Sequence, residues 1–330
     1  MKKIILPLFA AIFAFTSCNW NDVKNLDYTQ NHLSPEESDP EGYAVYLESL
    51  REYKESDHNV MIAGFETIEG DPVLQSQRIS SLPDSVDFVW LRDIHTMSPV
   101  LLEEMSDART RKGMKFLADV NFDTISKNWN DLQSEKAANG QQPASDEEFK
   151  TYVKEQTSLQ LAKCDEYGLD GILFTANGSS TPAQETFIKT IKDAHASHAY
   201  NYFVFRGGIK NIKDYTVLED CDYLIVIGND QTVTVTDINA RVGVMIGFED
   251  QINTDKILYE VTVPDSENPD QVGATADVAA KWVLKYMDSS DYIPRGIVVR
   301  NVEDDYYGSE LIYHNVRQAI SIMNEVEVQE

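Results

Sequence analysis

The chain has 330 residues, of which 42% are hydrophobic and 10% aromatic, a composition typical of a soluble globular protein with a large core. Its formal net charge is -27, so the phosphate backbone of a nucleic acid or an anionic bilayer surface would be repelled. The densest basic run, Arg109, Arg111 and Lys112, lies beside acidic residues and forms no basic patch. We therefore predict no nucleic-acid partner.

The first eighteen residues have the pattern of a secretory signal. Two lysines precede an apolar run, residues 4–15, which is too short to span a bilayer. The small residues Thr16 and Ser17 then lead to Cys18, and this ending resembles a bacterial lipobox, whose cysteine is lipidated and becomes the first mature residue. Phe15 departs from the lipobox pattern, in which a smaller aliphatic residue is usual. The alternative is an ordinary signal peptide followed by an unrelated cysteine.

These patterns divide the chain into three parts. Residues 1–18 are the predicted lipoprotein signal peptide, residues 19–39 a polar and flexible tether, and residues 40–330 a single folded domain. Cys164 and Cys221 remain in that domain, and neither their number nor their spacing indicates a disulfide framework or a metal site. We predict that both are buried thiols, and we expect neither a metal nor a cofactor.

Short apolar runs alternate with amphipathic stretches throughout the predicted domain. The runs predict buried parallel strands at Val60–Phe65, Val86–Leu91, Met114–Val120, Gly171–Thr175, Tyr202–Phe205, Tyr223–Ile227, Ile257–Val263 and Gly296–Val299. The amphipathic stretches predict helices at Pro40–Ser56, Ser98–Arg111, Asp146–Tyr167, Pro182–Ser197, Ala274–Met287 and Ser309–Asn324.

Eight strands with intervening helices predict an α/β fold, a (β/α)8 TIM barrel. The alternative is an open doubly wound sheet, but no glycine-rich GxGxxG loop follows any predicted strand. The apolar segment Val242–Phe248 is a further strand candidate. Asn130–Ser145, rich in Gln, Ala, Gly and Pro, predicts a surface loop after the third strand.

The segment from Tyr167 to Asn177 carries a family resemblance. Its first part reads Tyr-Gly-Leu-Asp-Gly and separates a predicted helix from a buried strand. It resembles the fourth-strand signature of family 18 glycoside hydrolases, the chitinases and endo-β-N-acetylglucosaminidases, which reads Tyr or Phe, Gly, apolar, Asp, Gly, apolar, Asp, apolar, Asp, aromatic, Glu. The match runs from Tyr167 through Ile172. Taken alone, the same residues are also compatible with a helix C-cap and a turn into a core strand.

The match ends where the family's chemistry begins. The second and third Asp of the signature fall on Leu173 and Thr175, and the acid Glu falls on Asn177. In the family, the Glu protonates the leaving oxygen while an Asp orients the substrate's acetamido group. Asn177 has no dissociable proton, and Thr175 carries no charge. The resemblance therefore implies a glycan-binding barrel with a degenerate catalytic motif, similar to endoglycosidase-like lipoproteins of Bacteroidetes.

Polar residues at the carboxyl ends of the strands are the candidate ligand contacts, since a barrel places its site there. Two tryptophans differ: Trp90 lies within a strand and is expected in the core, whereas Trp129 lies in the polar stretch after the third predicted strand and is a candidate for stacking on a sugar. His195 and His198 have helical spacing, but no carboxylate partner indicates a metal site. The predicted ligand-binding residues are Glu66, Asp119, Asn121, Trp129, Thr175, Asn177, Arg206, Asn229, Glu260, Asn301 and Tyr306.

Three functional hypotheses follow. The first is a non-catalytic surface lipoprotein of the outer membrane, anchored through Cys18, which captures an N-glycan or another N-acetylglucosamine-containing glycan for partner glycosidases and an importer. The second is an active endo-β-N-acetylglucosaminidase with a relocated acid, such as Glu66 or Glu260. The third is a structural subunit of a glycan-uptake complex. The sequence favours the first, because both principal catalytic groups are replaced.

Overall fold

A computed structural model describes residues 34–94, 96–198, 200–247, 252–264, 273–289, 291–307 and 311–324. The chain forms two compact units, one ending at Ser56 and one beginning at Asp57. The predicted signal peptide and Cys18 lie outside the described residues. None of the helices in the described ranges is both long and apolar enough to cross a membrane.

The first unit contains two helices, α1 (Pro35–Ser38) and α2 (Pro40–Glu55). The Ser34 side chain accepts the backbone N–H of Glu37, and Asp39 accepts that of Gly42, so each helix begins at a capping residue. The predicted helix at Pro40–Ser56 is confirmed to within one residue. The segment predicted as a tether therefore ends in a helical turn at Pro35–Ser38.

The second unit is a closed barrel of eight parallel strands in sequence order, with the last strand paired to the first. This confirms the predicted (β/α)8 barrel. The strands are β1 (Val60–Glu66), β2 (Phe88–Arg92), β3 (Lys115–Asn121), β4 (Gly171–Ala176), β5 (Tyr202–Gly207), β6 (Tyr223–Ile227), β7 (Ile257–Val261) and β8 (Pro294–Val299).

Helices follow the strands on the outside of the barrel. Within the described ranges they are α3 (Pro99–Lys112), α4 (Phe122–Ala138), α5 (Asp146–Glu166), α6 (Pro182–His198), α7 (Thr216–Glu219), α8 (Val235–Ile246), α9 (Ala276–Tyr286) and α10 (His314–Met323). Both Cys164 and Cys221 are free and buried, as predicted.

Two local predictions are wrong. The segment Val242–Phe248 is not a strand, because its residues up to Ile246 belong to α8, which begins after a capping box of Thr234 and Asp237. Most of Asn130–Ser145 is not a loop, because α4 continues to Ala138 and leaves only the residues after it as a connection. In both cases an N-capping residue marks the start of the helix, and neither the apolar run nor the amino-acid composition indicates it.

The barrel interior is filled by alternate residues of all eight strands, and the strand residues between them pack against the helices. Inside the barrel, an apolar cluster comes first along the strands, and polar side chains follow it at their carboxyl ends. That cluster consists of Val60, Ile62, Phe88, Trp90, Leu117, Leu173, Val204, Ile225, Leu258 and Val298.

Candidate functional site

Four polar side chains lie buried at the carboxyl end of the barrel. Asp119 on β3 is 8% exposed, Thr175 on β4 0%, Arg206 on β5 9%, and Glu260 on β7 3%. Thr175 is paired in register with Arg206, so the two side chains stand beside each other above the apolar interior. Buried polar groups of this kind require partners, and those partners determine what each group can still do.

Arg206 and Glu260 satisfy each other across the barrel. The Arg206 Nη2 donates to Glu260 Oε1 at 2.8 Å, and its Nε donates to the second carboxylate oxygen, which makes the contact bidentate. The guanidinium also lies over the Trp90 ring, 5.2 Å from its centroid. Glu260 is therefore committed to a buried ion pair, and a carboxylate held in this way is poorly suited to act as a relocated acid.

Asp119 is the second buried carboxyl of the site. Its Oδ1 accepts a hydrogen bond of 3.0 Å from the Trp90 indole N–H. Burial raises the pKa of Asp119 to about 6, although the Trp90 hydrogen bond acts in the opposite direction. Trp90 is buried, as the sequence predicts. It lies in the barrel interior and contacts two groups of the site, Asp119 and Arg206.

Strand β4 carries no carboxyl group. Leu173 is fully buried in the apolar interior. The Thr175 hydroxyl is buried and has no hydrogen-bond partner among the described residues. Asn177, beyond the strand, is exposed, and its backbone N–H donates to Asp123 Oδ1 at 3.2 Å. The side chains of Thr175 and Asn177 can therefore bind a ligand through hydrogen bonds, but they cannot transfer a proton as a carboxylic acid does.

A second cluster of charges lies where β1, β2 and β8 end. Arg92 contacts Glu66 at 3.5 Å and Glu303 at 3.3 Å, and its Nη1 donates to the Arg300 carbonyl at 2.9 Å. Burial raises the pKa of Glu303 to about 7, despite the nearby Arg92. The Glu66 side chain is 54% exposed and is the accessible carboxylate of this cluster.

A cavity of about 280 Å³ opens between the ends of β5, β6, β7 and β8. Among the residues that line it are Arg206, Asn229, Asp230, Tyr259, Glu260 and Arg300. Three predicted ligand contacts, Arg206, Asn229 and Glu260, are thus brought together at one concave surface.

Several predicted ligand contacts use their side chains within the protein. Asn121 caps α4 by accepting the N–H groups of Asp123 and Thr124. Asn229 Oδ1 accepts the Thr232 hydroxyl at 2.6 Å and so closes a turn. Asn301 exchanges hydrogen bonds with the backbone of Val263. The structure therefore gives these strand-end amides a local structural role.

The predicted aromatic contacts also have packing partners. Trp129 lies on α4, not in a loop, and its ring is 5.1 Å from those of Phe149 and Tyr152. Tyr306 is half-buried and packs edge-on against Tyr313, whereas its neighbour Tyr307 is 64% exposed. Tyr307 is therefore the more accessible of these aromatic rings.

The two histidines on α6 have separate partners. His195 stacks on Phe203 with ring centroids 4.1 Å apart, and His198 contacts Asp165 at 3.2 Å. In the described part of the chain no group of three or more His, Cys, Asp and Glu side chains could hold a metal ion.

Two residues of the site were missed in the sequence. Arg300 directly follows the last predicted strand, and the strand-end rule that selected Asn301 applies to it equally well. Asp123 lies in the first turn of α4 and contacts position 177 through Asn177 N–H. Its signal was weaker, because an acid in this position is expected at any helix N-terminus.

Comparisons with known proteins agree with this architecture. The model of glycoside hydrolase family 18, BT1044-like, matches residues 22–322. The fold resembles that of an endo-β-N-acetylglucosaminidase from Cordyceps militaris, with a TM-score of 0.57 and 16% identity over 85% of this chain and 96% of that one. No curated protein matches the sequence.

Two further solved structures share the fold. A structure of BT1044 gives a TM-score of 0.56 and 17% identity over 89% of this chain and 94% of that one. A family 18 chitinase from Pseudoalteromonas aurantia gives 0.52 and 14% identity over 79% and 99% of the respective chains. At these identities the structural likeness establishes the barrel and its topology.

Proposed function

Since the chain belongs to the BT1044-like group of glycoside hydrolase family 18, we propose that it binds an N-glycan or another N-acetylglucosamine-containing glycan without cleaving it. The observation that carries the proposal is the end of β4. There the sequence resemblance assigns the family's carboxyl positions to Leu173, Thr175 and Asn177, and the described residues of β4 include no carboxyl group. The removal of one acid–base group alone commonly lowers a rate by about 10²–10⁴.

The remaining groups suit binding. Thr175 carries a buried hydroxyl without a partner among the described residues, and Asn177 presents an exposed amide beside it along the chain. A hydroxyl and an amide are the donors and acceptors that sugar hydroxyl and acetamido groups require. The adjoining cavity adds Arg206, Glu260 and Asn229 at its wall. In this proposal the ligand contacts both the β4 end and the cavity.

The cellular setting is part of the proposal. The sequence before residue 19 supports export and lipidation at Cys18, which would anchor the protein to the outer membrane and display it at the cell surface. A glycan held there would be available to partner glycosidases and to an outer-membrane importer. Replacement of Cys18 by Ser should release the protein from the membrane fraction, and whole-cell labelling with an antibody should detect only the anchored form. Retention of the Cys18→Ser protein in the membrane would contradict lipidation.

Binding and cleavage can be tested in one experiment. The purified protein is titrated by calorimetry against high-mannose and complex N-glycans and chitooligosaccharides, and each mixture is analysed by mass spectrometry after overnight incubation. We expect saturable binding with intact glycans. Reproducible cleavage would contradict the proposal and favour a relocated acid, for which Glu66 is the accessible candidate and Glu260 is disfavoured by its ion pair with Arg206.

A second candidate function is a structural subunit of a glycan-uptake complex. Its support is the mutual pairing of strand-end polar groups, most clearly Arg206 with Glu260 and Asn301 with the Val263 backbone. A cleft whose polar groups are occupied has less capacity for a ligand. Failure to bind any glycan of the panel would favour this function over the first.

A further inference from the structure

We propose that the cavity at the ends of β5 to β8 binds a terminal sugar that carries one anionic group, a carboxylate or a sulfate, and that Arg300 pairs with that group. The inference rests on the proposed function, because it specifies which class of glycan the same cleft selects. It adds a residue and a charge preference that the family membership does not supply.

Arg300 has unused hydrogen-bonding capacity. Its guanidinium lines the cavity with a side chain that is 47% exposed, and it donates no hydrogen bond to any described residue. The nearest carboxylate oxygen, Glu260 Oε1, is 3.9 Å from Arg300 Nε, beyond hydrogen-bond distance. Glu260 is already bonded in a bidentate manner to Arg206. Arg300 therefore retains the planar set of donors that matches a carboxylate or a sulfate.

The backbone of Arg300 is fixed by hydrogen bonds. Its N–H donates to the Val261 carbonyl at 3.0 Å, and its own carbonyl accepts from Arg92 at 2.9 Å. A Cβ added at Gly64 would lie 2.3 Å from that carbonyl oxygen, so the backbone segments at Gly64 and Arg300 approach as closely as a glycine allows. The Arg300 side chain thus extends from a fixed backbone position beside the cavity.

Positive and negative side chains are balanced in the described wall of the cavity. The described lining contains two guanidinium groups, Arg206 and Arg300, against two carboxylates, Glu260 and the exposed Asp230. This local balance contrasts with the net charge of -27 of the whole chain. An anion is therefore repelled less at this cavity than at the rest of the protein surface. The bidentate contact with Arg206 neutralises Glu260, which leaves Arg300 and the exposed Asp230 as the other charged groups of the described wall.

The size of the cavity restricts the ligand further. Pockets for drug-sized ligands run from about 300 to 1,000 Å³. A cavity of about 280 Å³ is slightly smaller than this range, so it suits one terminal sugar unit better than the interior of a long chain.

The test compares three forms of one glycan by calorimetry: a sialylated biantennary N-glycan, the same glycan after removal of its sialic acids, and a counterpart sulfated on its terminal galactose. We expect the anionic forms to bind about tenfold more tightly than the neutral form, as one charged hydrogen-bonded contact allows. Arg300→Gln should abolish this preference, so that the anionic and the neutral forms bind with equal affinity. Arg111→Gln, on α3, removes the same charge at an unrelated place and should keep the preference.

Each outcome separates the two proposals. Equal affinities for the three forms would overturn the anionic preference while they support glycan binding. A preference that survives Arg300→Gln would overturn the assignment of Arg300. A preference for only one of the two anionic forms would support the site and identify the group as carboxylate or sulfate. Failure of all three forms to bind would overturn both proposals.

Discussion

Asp170 and Phe116 are joined by two reciprocal hydrogen bonds at the amino end of the barrel. The Phe116 N–H donates to Asp170 Oδ2 at 2.8 Å, and the Asp170 N–H donates to the Phe116 carbonyl at 2.8 Å. Arg109 Nε also donates to the Asp170 carboxylate, at 3.2 Å. Asp170 thus fixes the start of β4 against the start of β3.

The same arrangement recurs at two other even-numbered strands. Asp87, before β2, accepts the N–H of Met61 on β1, and Asp222, before β6, accepts the N–H of Phe203 on β5, both at 2.8 Å. An aspartate immediately before an even strand therefore completes the ladder of the preceding odd strand. The Asp of the Tyr-Gly-Leu-Asp-Gly segment belongs to this structural set, and its presence says nothing about catalysis.

Replacement of Asp170 by Asn should destabilise the protein. The Asn amide oxygen is a weaker acceptor for the Phe116 N–H than the carboxylate, and it forms no ion pair with Arg109. We therefore expect a loss of about 1–3 kcal/mol in the free energy of unfolding. Urea denaturation followed by circular dichroism measures this loss. Asp165→Asn is the matched control, because its contact with His198 joins two side chains that are both more than half exposed. Equal losses in the two variants would contradict the role of Asp170.

The buried ion pair of Arg206 and Glu260 should behave differently when one or both partners are replaced. Glu260→Gln leaves the Arg206 charge buried without its counter-ion, and we expect a loss of about 3–5 kcal/mol in the free energy of unfolding. The double variant Arg206→Met with Glu260→Leu should lose much less, because no uncompensated charge remains. Urea denaturation of the single and the double variant measures the difference. A double variant as unstable as the single one would indicate that packing, not charge, determines the cost.

The fold was largely predictable because its signal is distributed over the whole chain. Eight apolar runs separated by amphipathic stretches predict the barrel even when one run is misread, as Val242–Phe248 was. That run is apolar on consecutive positions, and such a run does not distinguish a strand from a buried helix. The capping residues Thr234 and Asn121 were the local signals that would have corrected the two misread segments.

The site was less predictable, because the strand-end rule gives the position of a side chain along the chain but not its partner. Asn121, Asn229 and Asn301 do stand at strand ends, yet each is bonded to nearby backbone or side-chain groups. Conversely, the bidentate contact of Arg206 with Glu260 joins residues 54 positions apart, and no spacing in the sequence indicates it. Partner choice is a tertiary property, and it decides which polar groups remain for a ligand.

The free energy of unfolding should depend on pH through Glu303. Its folded pKa of about 7 lies above the ordinary 4.5, so between these values the folded chain holds a proton that the unfolded chain has released. Rising pH across this window therefore lowers stability, by at most about 3 kcal/mol for this group. Glu303→Gln should remove that part of the difference between urea unfolding at about pH 5 and about pH 8.

The control for this experiment is Glu135→Gln, at an exposed position of α4. It should leave the difference in stability between the two pH values as it is in the unmodified protein. If Glu303→Gln also leaves that difference unchanged, the Glu303 carboxyl is already ionised in the folded chain at low pH.

Asn177→Ala should weaken glycan binding without a change in stability. The Asn177 side chain is exposed, and the contact of this residue with Asp123 uses its backbone N–H, which alanine keeps. The loss of one neutral hydrogen bond to the ligand corresponds to about 1 kcal/mol, or roughly fivefold in the dissociation constant. Calorimetry with the tightest-binding glycan of the panel measures this change, and Asn130→Ala on the exposed face of α4 is the matched control. An unchanged affinity in Asn177→Ala would place the ligand away from the end of β4, and the cavity walled by Arg206 and Arg300 would then have to supply the binding energy alone.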